Sequence, residues 1–89
     1  MHFLGQRVTV GLNPSVSMEC YTFYPDDGIV ELRHNGSANV SDSGTYRRDS
    51  NNSWRVSWFL GGSATVVGAG EDALNINGLR VTRIRSCIN

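Results

Sequence analysis

The chain has 89 residues, of which 8 are basic and 8 are acidic, so its formal net charge is zero. This length allows one domain over 1–89, whose thin core would gain stability from a disulfide, a metal or a partner subunit. A net charge of zero argues against a strong overall field toward nucleic acid or an anionic membrane, and it leaves little repulsion against self-association.

No apolar run approaches the roughly 18 residues of a membrane-spanning helix, so we expect no membrane span. Residues 1–7 lack a charged segment followed by a long apolar one, so we also expect no secretory signal. These expectations leave the cellular location open.

The first two predicted strands cover 3–10 and 16–24, with a proline break between them. Alternation on the first strand places four residues on one face, namely Leu4, Gln6, Val8 and Val10. The second strand is apolar on both faces, with Cys20 on one and Tyr21 and Phe23 on the other. This pattern indicates a central strand or an interface, so Tyr21 and Phe23 are candidate interaction residues.

A turn at 25–28 leads into a third strand at 29–34, because proline presets φ at the start of a turn and glycine accepts positive φ at its end. Asn35-Gly36 follows and is a preferred pair for a two-residue type I′ hairpin. We therefore expect a return strand through 38–40.

The clearest strand covers 54–60, where apolar residues alternate with others. Shorter strands are predicted at 45–48, 64–67 and 74–76. Asn77-Gly78 predicts a second hairpin, and the last strand changes phase, which predicts a β-bulge near 82–83. The predicted core comprises Val30, Leu32, Trp54, Val56, Trp58, Leu60, Leu74 and Ile76.

Seven or eight short strands joined by tight turns predict an all-β fold. Eight antiparallel strands close naturally into a small barrel filled by its own side chains, and a two-layer β-sandwich is the alternative. Strands of four to eight residues predict no large ligand cavity.

Cys20 and Cys87 are a candidate disulfide pair that would close a loop of about 68 residues and contribute roughly 4 kcal/mol in the chain-entropy model. Two buried free thiols are the alternative, because the missing signal indicates a reducing compartment. The predicted strand register also places Cys87 out of phase with Cys20, unless their strands lie in different layers.

No constellation of residues typical of an active site occurs in the sequence. Gly68-x-Gly70-x-x-Ala73 matches the dinucleotide-binding pattern, but the turn-rich residues that follow predict no helix to meet a pyrophosphate. Neither His2 nor His34 belongs to a motif that pairs it with a nucleophile. We therefore expect a protein that is not an enzyme and that binds neither a metal ion nor a cofactor.

The densest patch of contact-forming residues lies at 46–55, where arginines alternate with aromatic residues, and a second basic stripe lies at 80–85. Such residues stack on bases, neutralise phosphates and are enriched at protein–protein contacts. The candidate interaction residues are Tyr21, Phe23, Tyr46, Arg47, Arg48, Arg55, Arg80, Arg83 and Arg85. The alternative is a solvated face on which the arginines pair with Asp and Glu.

The run 28–84 resembles small lipocalin-like and lysozyme-inhibitor-like barrels in its pattern of strands and turns. The residues that carry this resemblance are Leu32, Asn35-Gly36, Ser43-Gly44-x-Tyr46 and Trp54. The resemblance implies a small barrel, and no functional residue is transferred from it.

The leading hypothesis is a non-catalytic protein–protein interaction module that binds a protein partner or itself. It would be an inhibitor-like binder or a subunit of a larger assembly, such as a phage or viral particle. The alternative is a barrel that binds single-stranded nucleic acid through an arginine and aromatic face.

Overall fold

A computed structural model describes residues 1–88 as a closed barrel of eight antiparallel strands. The strands are β1 (His2–Thr9), β2 (Ser15–Tyr24), β3 (Ile29–His34), β4 (Asp42–Ser50), β5 (Ser53–Trp58), β6 (Ser63–Gly68), β7 (Ala73–Ile76) and β8 (Leu79–Ile84). Each strand pairs with the next in chain order, and β8 returns to β1. The all-β prediction is confirmed, and the barrel replaces the sandwich. Residues 1–88 form no helix long and apolar enough to cross a membrane.

The centre of the barrel is a layer of four valines whose side chains are at most 1% exposed. These valines are Val30, Val56, Val66 and Val81. Trp54 and Trp58 face the same interior but lie half-buried at the two ends of β5, which corrects the prediction that they form the centre. A narrow eight-stranded barrel is filled by side chains of valine size, so the bulky indole rings lie toward its ends.

Both Asn-Gly pairs form their predicted turns, because both residues of each pair have the positive φ that a type I′ turn requires. The predicted return strand at 38–40 is nevertheless wrong, since β4 begins at Asp42. The Asn35 N–H donates to the Met18 carbonyl over 2.9 Å, and the Arg33 side chain reaches the Ala38 carbonyl. These tertiary contacts turn the chain into a loop before it pairs with β3.

Leu60 does not belong to the core, because β5 ends at Trp58 and the Leu60 side chain is 81% exposed. The Trp58 N–H donates to the Gly62 carbonyl, and the Gly61 N–H donates back to the Trp58 carbonyl, each over 3.1 Å. Gly61 and Gly62 both have positive φ, which closes the chain into a tight turn. The alternation of β5 therefore stops before Leu60.

Cys20 and Cys87 form a disulfide, with their Cα atoms 5.7 Å apart. The bulge predicted near 82–83 is absent from the pairing of β8 with β1 and β7, and the register shift of this barrel lies between Arg48 and Ser50 instead. The register of β8 is regular through Ile84, so Ile84 lies on the outer face opposite His2, while Val81 and Arg83 face the interior. Cys87 lies beyond the end of β8, so the strand register that argued against the disulfide does not apply to it.

Candidate binding sites

The loops divide between two ends of the barrel that differ in character. The loops after β1, β3, β5 and β7 form one end, which we call the apolar end. The loops after β2, β4 and β6 form the other end together with Met1, and we call it the cup end because a cavity opens there.

Exposed large hydrophobic residues are concentrated at the apolar end. Seven of the eleven found in residues 1–88 lie there, namely Val8, Val10, Leu12, Val16, Val40, Phe59 and Leu60. Scattered single hydrophobics are ordinary on a protein surface, whereas contiguous exposed apolar patches are typical of interaction sites.

The backbone of the Phe59–Leu60 tip is hydrogen-bonded to β4. The Phe59 N–H donates to the Ser43 carbonyl over 2.9 Å, and the Leu60 N–H donates to Asp42 Oδ1 over 3.4 Å. The Phe59 side chain is nonetheless 69% exposed. The turn between β5 and β6 therefore holds its backbone against β4 and presents two apolar side chains to solvent.

The hairpin of β1 and β2 projects beyond the rest of the barrel. The two strands pair as far as Thr9 and Ser15, but β8 pairs only with 2–4 and β3 reaches β2 only at Glu19. Residues 7–17 therefore form a two-stranded ribbon with open edges, which we call the arm. Its exposed apolar residues are Val8, Val10, Leu12 and Val16.

The cup is a cavity of about 570 Å³ that opens at the cup end. Four aromatic rings line it, those of Phe3, Phe23, Tyr46 and Trp54. The rings of Phe23 and Tyr46 meet edge to face with centroids 5.2 Å apart, and those of Phe3 and Phe23 meet similarly at 6.0 Å. Burial, with the nearby Asp26 carboxylate, raises the pKa of Tyr46. The cup contradicts the expectation that such short strands leave no large ligand cavity.

Two inward-facing arginines add positive charge to the cup. Arg83 lies opposite Phe3 in the β1–β8 pairing and Arg48 lies opposite Trp54 in the β4–β5 pairing, so both belong to the interior face. Arg48 lies 6.0 Å from the Trp54 ring centroid and donates to the carbonyls of Ser50 and Asn51. Across residues 1–88, neither arginine has a carboxylate within ion-pair distance.

Tyr21 and Phe23 are only 4% exposed and lie inside the barrel, so they do not form an external contact surface. The Tyr21 hydroxyl donates to Glu19 Oε1 over 2.6 Å, and Arg7 also donates to that carboxylate. Burial raises the pKa of Tyr21 far above its usual value, and the Glu19 carboxylate adds to the effect. Burial opposes ionisation of Glu19, but the hydrogen bonds from Arg7 and Tyr21 outweigh it and lower the pKa of Glu19.

The remaining predicted contact residues do not share one face. Arg47 and Arg55 lie directly opposite each other on the outer surface of β4 and β5. Arg80 lies on the outer face of β8, Arg83 faces the cup, and Arg85 is exposed beyond the end of β8. The predicted basic stripe at 80–85 is therefore divided, because successive side chains of a strand point to opposite sides of the barrel wall.

The sequence patterns missed the tip and identified only part of the cup. The available signal for the tip was Gly61-Gly62, directly after Phe59-Leu60. Two glycines with positive φ reverse the chain, and the residues just before such a turn lie outside the core. The predicted patch at 46–55 supplies Tyr46, Arg48 and Trp54 to the cup, whereas Phe3, Phe23 and Arg83 come from strands that no local pattern connects to it.

No cluster of three or more His, Cys, Asp or Glu side chains arranged to hold a metal ion occurs within residues 1–88. No family model matches the chain, and it has no significant match among curated proteins or solved structures.

Proposed function

We propose that this protein is a non-catalytic protein-binding module of the inhibitor kind, whose Phe59–Leu60 tip enters a cleft on a partner protein. The observation that carries this proposal is the exposure of Phe59 and Leu60, 69% and 81%, on a turn whose backbone is hydrogen-bonded to β4.

The energetics of such a tip favour binding. Burying a leucine or phenylalanine side chain contributes about 1.5–3 kcal/mol, and here that contribution is available only on association. A backbone already held in place loses little conformational entropy when it binds. The closed sheet and the hydrogen bonds to β4 support the turn.

The resemblance to lysozyme-inhibitor-like barrels supplies the first partner to test. We would measure binding to immobilised lysozymes and inhibition of cell-wall lysis, using wild type and the double variant Phe59→Ser/Leu60→Ser. We expect the double variant to bind at least about tenfold more weakly, since two buried anchors are lost. The matched control is Val67→Ser, which removes an exposed apolar residue from the outer face of β6.

Equal inhibition by wild type and the double variant would contradict the tip as the contact site. If no lysozyme binds, native mass spectrometry in the source lysate tests other partners. A complex present for wild type and Val67→Ser, but absent for the double variant, would support the proposal. A bare monomer for all three proteins would reject it.

The arm supports assembly as a second form of protein binding. Val8 and Val16 are cross-strand neighbours on one exposed face, and Leu12 at the loop is fully exposed. Open strand edges of this kind pair readily with another chain. Sedimentation velocity on wild type and Val10→Ser/Leu12→Ser tests this form: assembly through the arm predicts an oligomer that the variant abolishes.

The alternative of nucleic-acid binding is favoured by one observation: Arg47 and Arg55 are cross-strand partners and both line a depression of about 340 Å³. Phosphate contacts would make affinity fall steeply with salt. Titration of a single-stranded oligonucleotide at two salt concentrations tests it, with Arg47→Gln/Arg55→Gln compared with Arg80→Gln. An affinity that does not change with salt concentration, or equal binding by both variants, would exclude this surface as a nucleic-acid-binding site.

A further inference from the structure

We propose that the cup binds a small amphipathic anion, with its apolar body on the aromatic floor and its carboxylate against Arg83 and Arg48. The cup lies at the opposite end of the barrel from the Phe59–Leu60 tip, so this site is independent of the function proposed above.

The size and the floor of the cup suit a small organic molecule. Its volume of about 570 Å³ falls within the range of roughly 300–1,000 Å³ that is typical of small-molecule pockets, which occur at the mouths of β-barrels. The rings of Phe3, Phe23, Tyr46 and Trp54 give it an apolar floor. An apolar ligand body would displace water from these rings, which is favourable.

The charge of the lining selects an anion. Two arginines that line the cup face inward, Arg48 and Arg83, and the lining contains one acidic residue, Glu71. This local excess of positive charge occurs in a chain whose formal net charge is zero. A cation would meet repulsion from these two guanidinium groups, and a neutral ligand would leave that of Arg83 without a charged partner.

Arg83 and Arg48 differ in how they are held. Arg48 is fixed over the Trp54 ring by its hydrogen bonds to the Ser50 and Asn51 carbonyls, which use its Nε and one terminal nitrogen. Within the part of the chain that the structure describes, Arg83 makes no side-chain hydrogen bond and no ion pair. Its guanidinium is therefore available for a bidentate bond to a carboxylate.

Residues 85–88 do not line the cup. Cys87 is bonded to Cys20 on the outer face of β2, and its N–H donates to His2 Nδ1 over 3.2 Å. Residues 85–88 are therefore held outside the barrel wall, and the cup stays open to a ligand from solution.

The test compares carboxylates with their neutral amides. We would titrate 4-phenylbutyrate and decanoate, and the two corresponding amides, into the protein by calorimetry and by NMR of the indole N–H groups. Trp54 lines the cup, whereas Trp58 packs near Tyr21 with ring centroids 6.2 Å apart and serves as the internal reference. We expect at least one carboxylate to shift the Trp54 signal saturably and to bind about tenfold more tightly than its amide.

The variants Arg83→Gln and Arg80→Gln form a matched pair, because the two arginines lie on opposite faces of β8. Arg83→Gln should remove the preference for the carboxylate while retaining the fold, as checked by circular dichroism, and Arg80→Gln should bind like wild type. No saturable binding by either carboxylate, equal binding of carboxylate and amide, or equal behaviour of the two variants would each overturn the proposal.

Discussion

Two tyrosine–glutamate pairs are hydrogen-bonded in this barrel, one in the interior and one at the surface. Tyr21 donates to Glu19 over 2.6 Å in the interior, and Tyr24 donates to Glu31 over 2.9 Å at the surface. The buried hydrogen bond contributes more to the free energy of unfolding than the exposed one, because water can replace a lost donor only at the surface.

We therefore expect Tyr21→Phe to lower the free energy of unfolding by about 1–2 kcal/mol, since it deprives a buried carboxylate of a donor. Tyr24→Phe is the matched control and should cost less than about 0.5 kcal/mol, as surface substitutions usually do. Urea unfolding at neutral pH measures both. Equal losses for the two variants would show that depth does not govern this bond.

The stability of the protein should also depend on His2. Burial lowers the pKa of His2, and the N-terminal ammonium and Arg33 lower it further. In the unfolded chain a histidine takes up its proton at about pH 6.5. Because the pKa of His2 is lower in the folded state, the unfolded state binds more protons below that pH. The free energy of unfolding should therefore fall as pH falls below about 6.5, until the folded histidine is itself protonated.

The check is urea unfolding between about pH 5 and pH 8, above the range in which ordinary carboxylates titrate. His2→Gln should flatten the dependence in this window, while His34→Gln, which leaves His2 in place, should retain it. A wild-type stability that does not change between these pH values would contradict the role of His2.

At the scale of the strands, the approach of β4 to β5 depends on a glycine. A Cβ at Gly44 would overlap the backbone carbonyl oxygen of Ser57, whereas a Cβ at Gly68 would overlap only the side-chain amide of Asn52. A backbone atom held in a sheet ladder cannot move aside, but a side chain on a hairpin can rotate.

Gly44→Ala should consequently destabilise the protein by about 2–3 kcal/mol, in the range of an overpacked core, and Gly68→Ala by less. Thermal and urea unfolding of the two variants measure the difference. A loss for Gly68→Ala as large as that for Gly44→Ala would mean that the β4–β5 spacing is not the constraint.

For the whole molecule, the Cys20–Cys87 disulfide is the largest single constraint. It links β2 to the segment after β8 across a sequence separation of 67 residues. It lies near the β1–β8 seam, where β8 pairs with β1 over only three positions, from His2 to Leu4. The link therefore adds a covalent bond beside the short pairing that closes the barrel.

Reduction, or Cys20→Ser/Cys87→Ser, should lower the free energy of unfolding by roughly 4 kcal/mol in the chain-entropy model. This is a large part of the 5–15 kcal/mol or so that stabilises a typical domain. Urea unfolding with and without reductant checks it, and the double variant should be insensitive to reductant. An unchanged midpoint for reduced wild type would refute the expectation.

Local chemistry in the sequence determined the all-β class, the strand centres and the turns. Alternation placed Val30, Val56 and Ile76 in the core, and asparagine followed by glycine formed both type I′ turns, because these signals depend on neighbouring residues alone. The tertiary structure decided everything that joins distant strands: the barrel closure, the disulfide, the cup, and which of Arg80 and Arg83 faces inward. Those features arise when a sheet closes on itself and residues from both ends of the chain become neighbours, which no pattern of period two along one strand encodes.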